Sequence, residues 1–280
     1  MTALDAPFVS DAFSWAEAVA TRPAVGLDDI ESVSLLGRFD QKYLVRLDRL
    51  PDLIEVLGDV AVLEVDGSRC IDYTSVYFDS AELHSYRAHR QGRRRRYKVR
   101  TRHYGDPSAT MLEVKLKGDR GRTVKHRQAH GAGSPGALDQ AGRGFVEATI
   151  RAAYGSMQIP PLRPTLVTKY TRTTLVDMAA GVRLTVDRGL RVRTESECAR
   201  FGRHYAIVES KSAERRPAAH RQLLRVSARP QRLSKYCLGV GALVSDLACN
   251  PWQHQLRQLV AGLGGTTEAL HSRWPPATEN

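Results

Sequence analysis

The sequence is short of the features that most often announce a chemistry. Its four cysteines, Cys70, Cys198, Cys237 and Cys249, lie far apart and form no CxxC pair. That excludes a disulfide framework or zinc cluster read from spacing, and it fits a reducing compartment. The nine histidines contain no HExxH, and no histidine metal site is expected. No GxxxxGK[ST] loop is present to cradle nucleotide phosphates, and no Ser/His/Asp or Cys/His arrangement stands out. No apolar run approaches the roughly 20 residues of a spanning helix. The best, Leu238–Cys249, is too short and contains Asp246. The first residues lack the basic-then-apolar order of a secretion signal, because Asp5 and Asp11 interrupt it. The expectation is a cytoplasmic protein without a transmembrane segment.

Acid is the other shortage. Asp and Glu number 30 against 42 Lys and Arg, a formal net charge of +12. Such a balance favours an anionic partner: nucleic acid, acidic lipid, or a phosphate-rich small molecule or polymer. The charge is densest in RRRRYKVRTRHY, Arg93 to Tyr104. Whether it faces water or faces inward around an anion is the question the rest of the sequence has to answer.

What is present is a succession of short strand patterns. They are Arg38–Val45, Ile71–Phe78, Arg94–Tyr104, Thr110–Lys117, Arg122–Arg127, Thr165–Val176, Val182–Asp187, Leu190–Thr194 and His204–Lys211. Turn-formers at Gly105-Asp106-Pro107, Gly118-Asp119, Ala180-Gly181 and Asp187-Arg188-Gly189 space them as antiparallel hairpins. Helical patterns cover Leu50–Leu57 behind Asp48, Ala81–His89 with an Asp79/Glu82 capping box, Ala137–Tyr154, Pro217–Val226, Lys235–Ala248 behind Ser234, and Pro251–Leu263. The expected organisation is an arm over 1–35 with a short helix near Ala12–Ala20, one α+β domain over 36–264, and a tail over 265–280.

A strand sends successive side chains to opposite faces. Glu113, Lys115 and Lys117 therefore share a face, opposite Leu112, Val114 and Leu116. Arg183, Thr185 and Asp187 oppose Val182, Leu184 and Val186, while Glu209 and Lys211 oppose Ala206 and Val208. Arg94, Arg96, Lys98, Arg100 and Arg102 oppose Tyr97 and Val99. One explanation is a half-buried antiparallel sheet with a solvated charged face. The other is a closed barrel, apolar outside under helices and cationic within. Such a barrel repels itself unless a multiply charged anion fills it. Cations recurring in nearly every strand, with a few acids among them, favour the second. Arg93–Arg95 lie at the strand's entry and are expected to be exposed. Tyr43, Tyr77 and Tyr170 are expected to pack rather than to stack on bases.

In this order, RFDQKY, YTSVYFDS, KVRTR, LEVKLK, TVKHR, KYTR, RLTVD, VESK and SKY resemble a known family. It is the polyphosphate-polymerase (VTC) domain of the vacuolar transporter chaperone proteins, within the triphosphate tunnel metalloenzymes. That superfamily also holds the CYTH-type triphosphatases and adenylate cyclases. The likeness runs from about Arg38 to Tyr236 and implies a closed antiparallel tunnel with helices packed outside. It implies an enzyme that passes the γ-phosphoryl group of ATP to a growing polyphosphate chain. Carried over by motif, the implied catalytic residues are Lys42, Arg100, Arg102, Lys115, Arg172 and Arg183. Lys98, Lys125, Arg127, Lys211 and Lys235 would bind phosphate. Glu209, Glu113 and Asp187 would hold Mn²⁺ or Mg²⁺. One departure is Asp40, where the family's first motif has an acid one methylene longer; the shorter side chain reaches less far toward a metal. Two other functions use the same features: hydrolysis of inorganic or nucleoside triphosphate, and non-catalytic polyanion binding. ATP, polyphosphate or triphosphate are the expected partners, and nucleic acid is not.

Overall fold

The structure is a computed structural model that describes residues 12–31, 39–118, 123–131 and 136–260. The expected tail over 265–280, the two ends of the arm (1–11 and 32–35) and the boundaries at 36 and 264 lie outside those residues. The described elements run α1 Ala12–Ala20, β1 Ala24–Val25, α2 Leu27–Glu31, β2 Phe39–Arg46, α3 Leu50–Leu57, β3 Ala61–Leu63, β4 Ile71–Asp79, α4 His84–Arg90, β5 Tyr97–Tyr104, β6 Asp106–Lys117 and β7 Thr123–Ala129. They continue with α5 Gln140–Tyr154, β8 Arg163–Asp177, β9 Val182–Arg193, β10 Cys198–Arg200, β11 Tyr205–Ser212, α6 Ala218–Arg225, α7 Lys235–Leu243 and α8 Gln253–Val260. This is the mixed α+β chain of antiparallel hairpins that the spacing predicts. The pair β1–β3 is parallel, and the two-residue and three-residue strands β1, β3 and β10 carry no alternation long enough to read.

The described residues divide into two compact units, one within 12–71, 172–188 and 204–231, the other within 72–171, 189–203 and 232–260. In the first, the strand order is β2–β11–β9–β8, with β3 on β8 and β1 on β3. One face of these strands buries Tyr43, Val45, Val182, Leu184, Val186, Ala206 and Val208. Those side chains pack with Leu50, Leu53, Ile54 and Leu57 of α3, with Trp15 and Val19 of α1, and with Ala219 and Leu223 of α6. In the second unit the order is β8–β4–β5–β6–β7, with β10 on β9. Its core sets Val76, Phe78, Tyr97, Val99, Leu112, Val114 and Leu116 against Val146, Ile150 and Tyr154 of α5. Among the described residues β2 pairs only with β11 and β7 only with β6, so the described pairings do not close into a ring.

Local chemistry explains where the elements differ from expectation. Strand β5 starts at Tyr97, not Arg94, because the Arg96 guanidinium turns back onto the carbonyls of Gly92 and Arg93 and closes the preceding turn. Strand β9 runs through Asp187-Arg188-Gly189 without turning; Gly189 takes φ 62 inside the strand, a value glycine adopts at no steric cost. Asp48 holds Arg46 at 2.6 Å instead of capping α3. Asp139 caps α5 from Gly142 N–H at 2.7 Å, and Ser234 caps α7 from Cys237 N–H at 3.3 Å. Helix α7 stops at Leu243, short of Ala248, since Val244 is extended. Its Gly239 lies so close to Leu166 that an added Cβ would stand 2.6 Å from Leu166 Cδ2.

The YFDS and SKY motifs meet inside the second unit. The Asp79 carboxylate is fully buried and accepts the N–H groups of Ser80 and Ser85 at 2.8 Å and of Tyr86 at 2.9 Å. It also accepts the Tyr236 hydroxyl from α7. Asp79 thus caps α4 from the end of β4, and Glu82 is not needed for the cap. Burial, then the Asp79 charge, pushes the Tyr236 phenol well above its ordinary range. We expect Asp79→Ala to cost about 3–5 kcal/mol in urea unfolding, because several buried donors lose their acceptor. Tyr236→Phe should cost only about 1 kcal/mol; equal effects would refute the capping role.

Candidate functional site

In each unit the strand face opposite the core is charged. On the first unit, the register sets Asp40, Lys211 and Arg183 abreast across β2, β11 and β9. The next rank is Lys42, Glu209 and Thr185, and the one after is Leu44, Ile207 and Asp187. Paired residues on neighbouring strands project to the same side, so these ranks share one face. Arg172 of β8 donates Nε to Asp187 Oδ1 at 2.6 Å and Nη2 to Oδ2 at 2.8 Å. This bidentate pair is buried, with Asp187 at 2% exposure and Arg172 at 9%. Lys211 is pushed down to about 8, by burial first, with Arg172 and Arg183 adding to the effect against the opposing pull of Glu209.

On the second unit the excess of cations is larger. Lys98, Lys115 and Lys125 stand abreast on β5, β6 and β7. Beside them, Tyr77, Arg100, Glu113 and Arg127 form one rank across β4 to β7, and Ser75, Arg102 and Met111 the next. Glu113 is 2% exposed and joins side chains from the strands on either side of it. Its Oε2 accepts Arg100 Nε at 2.7 Å and Nη2 at 2.5 Å, and its Oε1 accepts Lys125 Nζ at 3.1 Å. Burial raises the Glu113 carboxyl, but Arg100, Arg102 and Lys125 outweigh it and hold the group well below the usual carboxylate range. Lys125 is lowered, chiefly by burial.

Tyrosines share this face: Tyr77 and Tyr170 pack, buried against the rings of Tyr236 and Tyr73, and their hydroxyls also bond to arginines. Tyr77 Oη accepts Arg100 Nη1 at 3.0 Å, and Arg102 donates to Ser75 Oγ and Tyr170 Oη, each at 2.9 Å. The Arg102 guanidinium lies 5.1 Å from the Tyr73 ring centroid, and Lys235 Nζ lies 4.4 Å from that of Tyr170. Burial raises Tyr77 and the charges of Arg100, Arg102 and Lys235 outweigh it, so the phenol is lowered. Tyr43 packs as well: it is buried in the first unit's core. The signal for Tyr77 was in YTSVYFDS, where Ser75 and Tyr77 alternate in phase with their register partners Arg102 and Arg100 on β5. His89, missed in the sequence, shares a 2.8 Å hydrogen bond with the Ser85 carbonyl and is pushed down to about 2 by burial, then by Lys98.

The expected site residues therefore fall into two sets. Lys42, Arg172, Arg183, Asp187, Glu209 and Lys211 share the charged face of the first unit. Lys98, Arg100, Arg102, Glu113, Lys115, Lys125 and Arg127 share that of the second, where Lys235 enters from the first turn of α7. Arg93–Arg95 are exposed, as expected.

Among the described residues no three His, Cys, Asp or Glu side chains gather to hold a metal. Glu113 and Asp187 spend their oxygens on guanidinium and ammonium groups. His126 and His130 are four apart on and just after a strand, about 13 Å along it, too far to share a metal. Glu209 is 9% exposed and paired in register with Lys42 and Thr185, whose buried hydroxyl has no hydrogen-bond partner among the described residues. Such a donor set does not form an all-protein cage. It suits a hard cation that needs one or two carboxylates and takes its other ligands from phosphate.

Residues 37–244 match the family model of the VTC domain, and the chain belongs to that family. No curated protein matches it. Solved structures resemble it distantly. An adenylate cyclase candidate from Bacillus halodurans is 13% identical, with a TM-score of 0.45, over 71% of this chain and 96% of that one. The adenylyl cyclase candidate HpAC1 from Hippeastrum, described as having a dominant triphosphatase activity, is 12% identical, with a TM-score of 0.41, over 74% and 97%.

Lys211 has a testable consequence. Its pKa in the fold is about 8 against an ordinary 10.5. Between those values the unfolded chain binds more protons, so stability should rise with pH across this interval. Urea unfolding of the wild type relative to Lys211→Met should show that rise; a flat difference would refute the shift.

Proposed function

We propose that this chain is a metal-dependent polyphosphate polymerase. It would transfer the γ-phosphoryl group of ATP to the end of a polyphosphate chain and release ADP. Family membership supports this reading, and one observation carries it. Lys98, Lys115 and Lys125 stand abreast on adjacent strands, beside a rank in which Glu113 alone separates Arg100 from Arg127. Like charges directly opposite one another destabilise a sheet. A polyanion laid across the ranks would relieve the repulsion, and a row of phosphates presents charge at intervals that such ranks can follow.

The roles follow from the chemistry. Arg100, Arg102, Arg172 and Arg183 offer guanidinium forks suited to phosphate oxygens, and Lys42, Lys98, Lys115, Lys125, Lys211 and Lys235 offer point charges. Phosphoryl transfer requires little covalent chemistry from a protein; it requires position and charge stabilisation. Glu113 and Asp187 act in this reading as holders of Arg100 and Arg172, fixing the donors before the anion arrives. Glu209 is the residue proposed to hold Mn²⁺ or Mg²⁺. When bound, that ion would act as a Lewis acid on phosphate oxygens.

Purified protein incubated with ATP and Mn²⁺ should yield ADP and long chains on a polyacrylamide gel. Chelating the metal should stop the reaction. Glu209→Gln and Lys115→Ala should each lower turnover by about 10²-fold while far-ultraviolet circular dichroism is unchanged. Orthophosphate without chains would replace the polymerase by a triphosphatase. Turnover insensitive to both substitutions would remove this site from the reaction.

A further inference from the structure

The segment 213–230 of the first unit carries charge that the proposed reaction does not use. Arg215, Arg216, Arg221, Arg225 and Arg229 are all exposed. Glu214 is the single acid in the segment. Among the described residues none of these five guanidinium groups forms an ion pair. Helix α6 buries Ala219 and Leu223 in the core and turns Arg221, Leu224 and Arg225 outward.

The segment is fastened to strand β2 at three points. Gln41 Nε2 donates to the Arg215 carbonyl at 2.9 Å, and Tyr43 Oη lies 2.8 Å from His220 Nδ1. The Gln231 N–H donates to the Lys42 carbonyl at 2.7 Å. Tyr43 points into the core, and Lys42 alternates to the charged face. These bonds hold the segment on the side of β2 away from Lys42, and its arginines are separate from the strand-face site.

The composition of this surface narrows what it fits. The segment itself has no exposed aromatic ring, and the one ring beside it is Phe39, the register partner of Ser212, so successive bases of a single-stranded nucleic acid have no platform to stack on. Leu224 is the segment's one exposed large apolar side chain, and with Phe39 beside it the apolar area is still too small to enter a bilayer. All five cations are arginine, whose fork matches phosphate oxygens in pairs. We infer that this surface is an exosite for a chain of inorganic phosphates. It binds the part of a long chain that extends past the strand-face site. The inference rests on polyphosphate being this protein's ligand. Two linked sites on one polymer raise its apparent affinity without any new contact at the first.

The test changes Arg216, Arg221, Arg225 and Arg229 together to Gln in the full chain, with melting temperature as the folding control. Binding is followed by fluorescence anisotropy for labelled long-chain polyphosphate and, by competition, for tripolyphosphate. Long-chain affinity should fall at least about tenfold, and the slope of log affinity on log salt should shrink by about three, at roughly 0.7 per lost phosphate contact. Tripolyphosphate affinity should not change. Unchanged long-chain affinity, or an equal loss for both ligands, overturns the exosite. So does a wild type that binds poly(U) RNA, or vesicles of phosphatidylserine and phosphatidylcholine, more tightly than polyphosphate through these arginines. Failure to make chains from ATP, with the long-chain effect intact, overturns the polymerase and leaves the exosite standing.

Discussion

Glu113 is the group on which the charged face of the second unit depends. Seven cationic side chains from three adjacent strands share that face, and this one buried carboxylate stands among them. It fixes Arg100 through two donors and reaches Lys125 with its other oxygen. A carboxylate so surrounded stays ionised despite burial, because the field of its neighbours exceeds the cost of removing it from water. The positive charge on that face exceeds what this carboxylate offsets, and that surplus is what an anionic ligand would meet.

The first unit follows the same design at a different ratio. Asp187 locks Arg172 through two parallel bonds, while Asp40 and Glu209 alternate with Lys42 and Lys211 on neighbouring strands. Charge there is closer to balance, and burial lowers the Lys211 ammonium, as it lowers Lys125 on the second unit. One face therefore favours fixed guanidinium groups and the other brings acid and base within reach of each other. The proposed phosphoryl transfer would use both.

Much of this was legible in the sequence because alternation has a strict period of two. Every expected site residue stands on a charged face or, for Lys235, at the helix start where Ser234 caps it. The same rule placed Val99, Val114, Leu184 and Val208 in cores. What was not legible came from interactions without a period. Arg96 left the strand pattern to satisfy two carbonyls in a turn. Asp79 reads as an ordinary helix cap, and only the fold brings Tyr236 to it from 157 residues away. Tyr77 and Tyr170 have a ring and a hydroxyl, and the sequence does not say which of them a neighbour will use. The acids of LEVK and RLTVD could equally have faced a metal or a guanidinium, and register alone decides that.

Gly239 makes a further point about tolerance. With Leu166 so near, helix α7 sits at the closest approach a backbone without side chains permits. The same helix delivers Lys235 to the ring of Tyr170, and Lys235 and Gly239 are one turn apart. A single methyl group at 239 would act as a shim, lifting the helix from its seat and carrying the ammonium with it. The position of a charge in the site is thus gauged by an atom that is not there.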